Sequence, residues 1–172
     1  MSIYNYKINC YILDAFYPKI YVPISSVSAR IRSGSSSYMQ VTIPDYDAYA
    51  YALSLRSGGN FHVQLKIGSD IWREIFWVDI ENIYTYVGAR SKSIVLSGHR
   101  TFTYSGVAFT RGIVDYSYIS TTNKTIIRCG INQNYLLQIG DRAVAGYHAD
   151  ITVEMLTYTI NNSQAVLEIT GT

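Results

Sequence analysis

The residues best equipped for chemistry are three histidines, His62, His99 and His148, and three carboxylates, Glu74, Asp79 and Glu81, set among Trp72, Phe76 and Trp77. Two carboxylates suffice for glycoside hydrolysis, one protonating the leaving oxygen while the other attacks or activates water. Aromatic rings beside them would suit a sugar. Yet Asp79 and Glu81 alternate with Val78 and Ile80, as the outward residues of a half-buried strand do. A glycoside hydrolase using Glu74 or Asp79 therefore stands last among the functional candidates. The histidines are isolated from one another. A zinc site needs clustered ligands at short Cys or His spacings, and none occurs, so neither a metal nor a cofactor is expected. His62 fills a polar slot in an alternating strand and is expected to face solvent, whereas His148, in Gly146-Tyr147-His148-Ala149-Asp150, reads as a turn or strand entry. Ser97-Gly98-His99-Arg100 shows no evident orienting carboxylate, and no Gly-x-Ser-x-Gly elbow is present. Gly-rich phosphate cradles are absent. Asn123-Lys124-Thr125 and Asn161-Asn162-Ser163 match the glycosylation sequon, which acts only in a secretory context. No catalytic residue is assigned, and the chain is not expected to be an enzyme.

The elements that carry these residues are strands. Val27, Ala29 and Ile31 alternate with Ser28, Arg30 and Arg32, and Met39, Val41 and Ile43 alternate with Gln40 and Thr42. Ser33-Gly34-Ser35-Ser36 between them suits a hairpin. Phe61, Val63, Leu65 and Ile67 are expected to face a core, with His62, Gln64 and Lys66 on the opposite face. Ile151, Val153 and Met155 set one phase, which slips to Leu156, Tyr158 and Ile160, the mark of a bulge or a bent strand. Ala165, Leu167 and Ile169 follow an Asn161-Asn162-Ser163 turn. Strands this numerous, joined by turns this short, indicate an all-β antiparallel barrel or closed sandwich. Residues 44–59 differ. Asp45 suits a helix cap and Gly58-Gly59 a helix stop, and Ala is frequent, so one short helix is preferred; Tyr49, Tyr51, Leu53 and Leu55 also fit a strand. The chain reads as one compact unit over residues 1–172, or as two fused β regions, 1–104 and 112–172, with a soft boundary at 105–112.

Composition sharpens the class. Hydrophobic residues make up 48%, enough for a sizeable core. Charged residues make up 15%, against roughly 25% in an ordinary soluble domain, and seventeen tyrosines with many Ser, Thr and Asn fill the gap. Such a surface suits interfaces, where Tyr offers contact area with a polar tip, but it also suits strands through β-propensity. The net charge of +2 comes with no basic run, so duplex nucleic-acid binding has no footprint here. Cys10 and Cys129 sit among apolar and β-branched neighbours and read as small buried hydrophobes, reduced and without function; a disulfide between them is open to geometry but not readable from sequence. The opening Met-Ser-Ile-Tyr-Asn-Tyr-Lys reads as a strand and not a targeting segment, and no apolar run suits a membrane anchor, so cytoplasmic synthesis is the expectation.

The order of features carries a resemblance. A strand ending Ser37-Tyr38-Met39-Gln40-Val41-Thr42-Ile43-Pro44 precedes a short apolar segment and glycines. Then come Phe61-His62-Val63-Gln64-Leu65-Lys66-Ile67-Gly68, a strand with Val78-Asp79-Ile80, and Leu96-Ser97-Gly98-His99-Arg100. The succession resembles the β-barrel domain of bacteriophage tail hub, or baseplate hub, proteins, whose pattern ends in Leu-x-Gly-Arg; here His99 intervenes. Leu136-Leu137-Gln138-Ile139-Gly140-Asp141 is similar to that family's Leu-x-Pro-Gly-Asp, with Ile139 in the proline's place, and the strands from 151 onward look like its closing strands.

The resemblance implies a structural virion protein, made in the host cytoplasm and located in the phage tail. It would join the tail tube to the tip or spike and line the genome conduit, as a full hub or a smaller adaptor. Its partners would be copies of itself in a trimeric or hexameric ring and neighbouring tube, tip or spike proteins, with DNA present only in transit. Tyr46, Tyr49 and Tyr51 are the candidates for the oligomer interface, a local packing face being the other reading. A carbohydrate-binding β-sandwich, favoured by Trp72, Trp77 and the tyrosines, is the alternative.

Overall fold

The structure is a computed structural model and describes residues 6–32, 36–68, 71–88, 91–101, 113–131, 140–145, 149–161 and 164–172. In chain order the elements are β1 (Tyr6–Leu13), β2 (Ile20–Val22), β3 (Ser26–Arg32), β4 (Ser36–Ile43), α1 (Tyr46–Ser54), β5 (Asn60–Ile67), β6 (Arg73–Asp79) and β7 (Asn82–Val87). There follow β8 (Lys92–Thr101), β9 (Ile113–Ile119), β10 (Lys124–Gly130), β11 (Arg142–Ala145), β12 (Ala149–Asn161) and β13 (Ala165–Gly171). The fold is all-β with one short helix, and every pairing with a described register is antiparallel. The chain divides into two compact units, Met1–Val27 with Met39–Arg100, and Ser28–Tyr38 with Thr101–Thr172. Residues of β3 and β4 fall in both. The softer boundary at 105–112, the Ser33-Gly34-Ser35 connection, the motif from Leu136 to Ile139, and His148 lie outside the described residues.

In the first unit β2-β1-β5-β6 form a four-stranded sheet. Register aligns its side chains in rows. Val22, Cys10, Val63 and Phe76 make one buried row, and Ile12, Phe61 and Val78 the next. Phe61, Val63 and Leu65 are buried as the alternation predicts; the side chain of Ile67 lies outside the described set. The strand orders are open paths among the described residues, with β2 and β6 at the ends of this sheet. β2 is only three residues long and runs into Pro23, which has no N–H to continue pairing. The chain leaving β6 runs against β8: Glu81 N donates to Ser97 O at 3.0 Å, and β8 passes so close to the end of β6 that a side chain at Gly98 would overlap the Asp79 carbonyl oxygen. Gly98 is glycine because a backbone passes there.

The helix over residues 46–54 resolves the ambiguous segment. Asp45 caps it, accepting from Ala48 N at 3.1 Å, and Leu53 points into the core. At the other end Arg56 is buried and donates to Ala52 O at 2.5 Å and to Pro18 O at 3.2 Å, tying the β1–β2 turn to the helix terminus.

In the second unit β12-β13-β10-β9 lie side by side, and β11 pairs with β12. The phase slip read in 151–160 is a bulge: Val153 opposes Gly171 but Met155 opposes Thr170. Ile151 and Val153 are buried before it, and Leu156, Tyr158 and Ile160 after it, while Met155 is half-buried. Cys129 is buried in β10, its thiol donating to Leu167 O at 3.5 Å. Both cysteines are free.

Candidate functional site

The outer face of the four-stranded sheet carries one aromatic row, because a strand alternates its side chains and the register sets Tyr21, Tyr11, His62 and Trp77 side by side on β2, β1, β5 and β6. His62 stacks on Tyr11 (centroids 4.5 Å apart, planes at 11°) and on Trp77 (5.6 Å, 19°), while Tyr11 tilts against Tyr21. Cations lie on both sides of the row. The Lys19 ammonium sits 3.6 Å from the Tyr11 ring centre, and the Arg100 guanidinium sits 3.2 Å from that of Trp77 while donating to Trp77 O. Arg100 follows Gly98 by two residues on the same face of β8. The Gly-x-Arg spacing therefore brings the strand close and then lays its arginine on β6.

His62 corrects an expectation. It lies on the face opposite the core, as its alternation requires, but only 9% of it is exposed. Neighbouring rings and a carboxylate cover it: Nδ1 lies 2.6 Å from Glu74 Oε2 and Nε2 lies 2.8 Å from Asn60 Oδ1. Tyr11 also donates to Glu74 Oε2, at 2.9 Å. Burial, and then this bond to Glu74, push the Tyr11 hydroxyl up to about 12. Glu74 reaches this face because β5 and β6 slip register: Val63 opposes Phe76 but Gln64 opposes Glu74, leaving Ile75 as the extra residue. Without the bulge Glu74 would share the core phase of Phe76 and Val78. A polar residue in an apolar phase was the available signal.

His99 is a second correction. Its Nδ1 lies 2.6 Å from Glu81 Oε2, a carboxylate 18 residues away that the β7–β8 pairing brings alongside, and this hydrogen bond lowers the Glu81 pKa. Ser97 is buried, and among the described residues its Oγ has no hydrogen-bond partner. Asp79 is exposed at the end of β6. Among the described residues no three His, Cys, Asp or Glu side chains converge as a metal site, and no helix is long and apolar enough to cross a membrane.

The three candidate interface tyrosines do not share a face. Tyr46 and Tyr49 are half-buried, and Tyr51, 78% exposed, points elsewhere. Tyr46, Ala50, Ser54 and Ser57 form a stripe that, with Ile83 and Thr85 of β7 and Ile94 of β8, lines a cavity of about 300 Å³. Exposed tyrosines occur well beyond α1, at Tyr21, Tyr84, Tyr86 and Tyr118.

No protein-family model matches the sequence, and no curated protein matches it either. Solved structures match in fold. The 43 kDa tail protein of prophage MuSo2 from Shewanella oneidensis superposes with a TM-score of 0.61 at 5% identity, covering 96% of this chain and 97% of that one. A tail protein from Neisseria meningitidis MC58 gives 0.60 at 8% identity, covering 98% and 96%. An Escherichia coli component of the type VI secretion system, itself structurally similar to the T4 bacteriophage tail proteins gp27 and gp5, gives 0.60 at 8% identity, covering 94% of this chain and 75% of that one. The chain shares the fold of these tail proteins along nearly its whole length, as the resemblance in its sequence implies.

Proposed function

We propose that this chain is a non-enzymatic structural protein of a phage tail, placed at the tip or baseplate hub, where copies of it form a trimeric or hexameric ring that joins tube to spike and lines the genome conduit. The observation that carries this reading is the likeness in fold to tail proteins over 94–98% of the chain, not over one motif. The surface supports it. Interfaces lose charges and gain aromatics, and exposed tyrosines are spread over β2, α1, β7 and β9. The aromatic row supports it differently, since its rings stack on one another and on Lys19 and Arg100 instead of offering a bare platform to a sugar. Deleting the reading frame from the phage or prophage that carries it tests the proposal. Particles with no joined, infectious tail are the expected result; normal infectious particles would overturn it. Titration calorimetry against a panel of sugars checks the carbohydrate-binding alternative, and no heat of binding is expected.

A further inference from the structure

We propose that Glu74 is a register lock: by holding its carboxylate on the outer face of the four-stranded sheet, His62 and Tyr11 keep the start of β6 one residue out of phase, with Ile75 as the spacer that the lock extrudes. The lock is a conformational device of the first unit and stands independently of the tail assignment.

Two registers are open to this strand. Phe76 and Val78 are buried on the core side, and Trp77 stacks on His62 on the other. Continued toward the start of β6, that alternation would set Ile75 opposite Gln64 and Glu74 opposite Leu65. The pairing found is the other one: Phe76 opposes Val63, but Glu74 opposes Gln64 and Arg73 opposes Leu65. One residue separates the two, and a slip of one residue turns each side chain before Phe76 to the opposite face. Nothing in the local backbone demands the slip. Ile75 is β-branched and suited to a regular ladder, and the left-handed residues described are Asn123, Gly68 and Gly140, none of them in β6. A left-handed glycine is therefore not the cause of this bulge.

The carboxylate is the cause. Leu65 is 1% exposed, so Glu74 set opposite it would be carried from water to the apolar side of the sheet. In the register found, the Glu74 side chain keeps 36% of its surface exposed. Its Oε2 accepts from the Tyr11 hydroxyl at 2.9 Å and lies 2.6 Å from His62 Nδ1. Tyr11 and His62 oppose one another on β1 and β5, so one oxygen ties three strands. Both partners are already fixed: His62 Nε2 lies 2.8 Å from Asn60 Oδ1, its ring stacks on Tyr11 and on Trp77, and Lys19 covers Tyr11. Groups held in place have little freedom left to lose when they meet the carboxylate. In exchange the register turns Arg73 to the Leu65 side, where a long stem can carry its charge outward past apolar neighbours. Ile75, half-buried, is left with no residue of its own opposite it.

Nuclear Overhauser contacts between β5 and β6 read the register directly. In the wild type they join Gln64 to Glu74 and Leu65 to Arg73. Glu74→Leu completes the apolar phase of Phe76 and Val78 and is expected to slip the strand, so that Gln64 meets Ile75 and Leu65 meets residue 74. Glu74→Gln keeps a polar side chain with an oxygen acceptor and is expected to keep the wild-type contacts. Deletion of Ile75 tests the spacer. Phe76 and Glu74 then oppose Val63 and Gln64 with no bulge between them, so a folded chain with the wild-type contacts of Gln64 and Leu65 is expected. Wild-type contacts retained by Glu74→Leu would overturn the lock, because the carboxylate would not be choosing the register. Should Glu74→Leu fail to fold, the deletion decides. A deletion of Ile75 that does not fold, or that gives Gln64 a new neighbour, would overturn the lock as well, since Ile75 would then belong to the ladder.

Discussion

Replacing Gly98 by alanine is expected to destabilise the first unit by about 2–5.5 kcal/mol, a sum of three terms with known ranges. A methyl group there would overlap the Asp79 carbonyl oxygen, and backbone on both sides leaves nothing flexible to give way. Over-packing of this kind costs roughly 1–3 kcal/mol. Pushing β8 away from β6 also stretches the bond from Glu81 N to Ser97 O, worth about 0.5–1.5 kcal/mol. It lifts Arg100 from Trp77 as well, a stacking contact worth about 0.5–1 kcal/mol. Urea denaturation followed by tryptophan emission is the assay, since both tryptophans, Trp72 and Trp77, belong to the first unit. Gly58→Ala is the control: a side chain there meets nothing within 4 Å, and a change within about 0.5 kcal/mol is expected. A Gly98→Ala protein as stable as the control would refute the close approach of β8 to β6, and with it the explanation of the Gly-x-Arg spacing.

Three further outcomes follow from the same geometry. Leu65→Ala, at a side chain 1% exposed on the central strand β5, should cost about 2–5 kcal/mol in chemical denaturation, and a shift near zero would mean that the strand is misassigned. The Tyr11 hydroxyl is raised from 10.0 to about 12 in the folded chain, so its contribution is full below pH 10 and is lost as pH climbs from 10 toward 12. Tyr11→Phe should flatten that alkaline loss in stability measured against pH, and an unchanged slope would count against a Tyr11 hydroxyl raised by its burial and its bond to Glu74. Thiol alkylation should label neither Cys10 nor Cys129 in the folded chain and both after denaturation, as intact mass would show; burial raises the Cys10 thiol and further slows its reaction.

Much of the fold was legible because strand periodicity reports faces. The core positions of β5, the cap at Asp45 and the slip within β12 all came from local pattern, and local physics decides them. What covers a face is decided elsewhere. His62 was placed on the correct side but expected in water, because Tyr11, Trp77 and Glu74 reach it through pairing between distant strands. Glu81 meets His99 because it directly precedes β7, whose pairing with β8 sets Asn82 opposite Ser97, and that register is not foretold by any spacing between the two residues. The tyrosines of α1 look like a cluster in the sequence, yet helical rotation sets Tyr51 apart from Tyr46 and Tyr49. Phe16, the most exposed large hydrophobic residue described, lies in a loop with no periodicity to draw attention to it.

The tail assignment is tested most directly by a cryo-EM reconstruction of the intact particle made by the genome that encodes this chain. A ring of several copies on the tail axis, at the junction of tube and tip, is the result expected from the fold and the charge-poor, tyrosine-rich composition. A particle that lacks the chain, or holds it as a lone monomer away from the axis, would contradict the assignment.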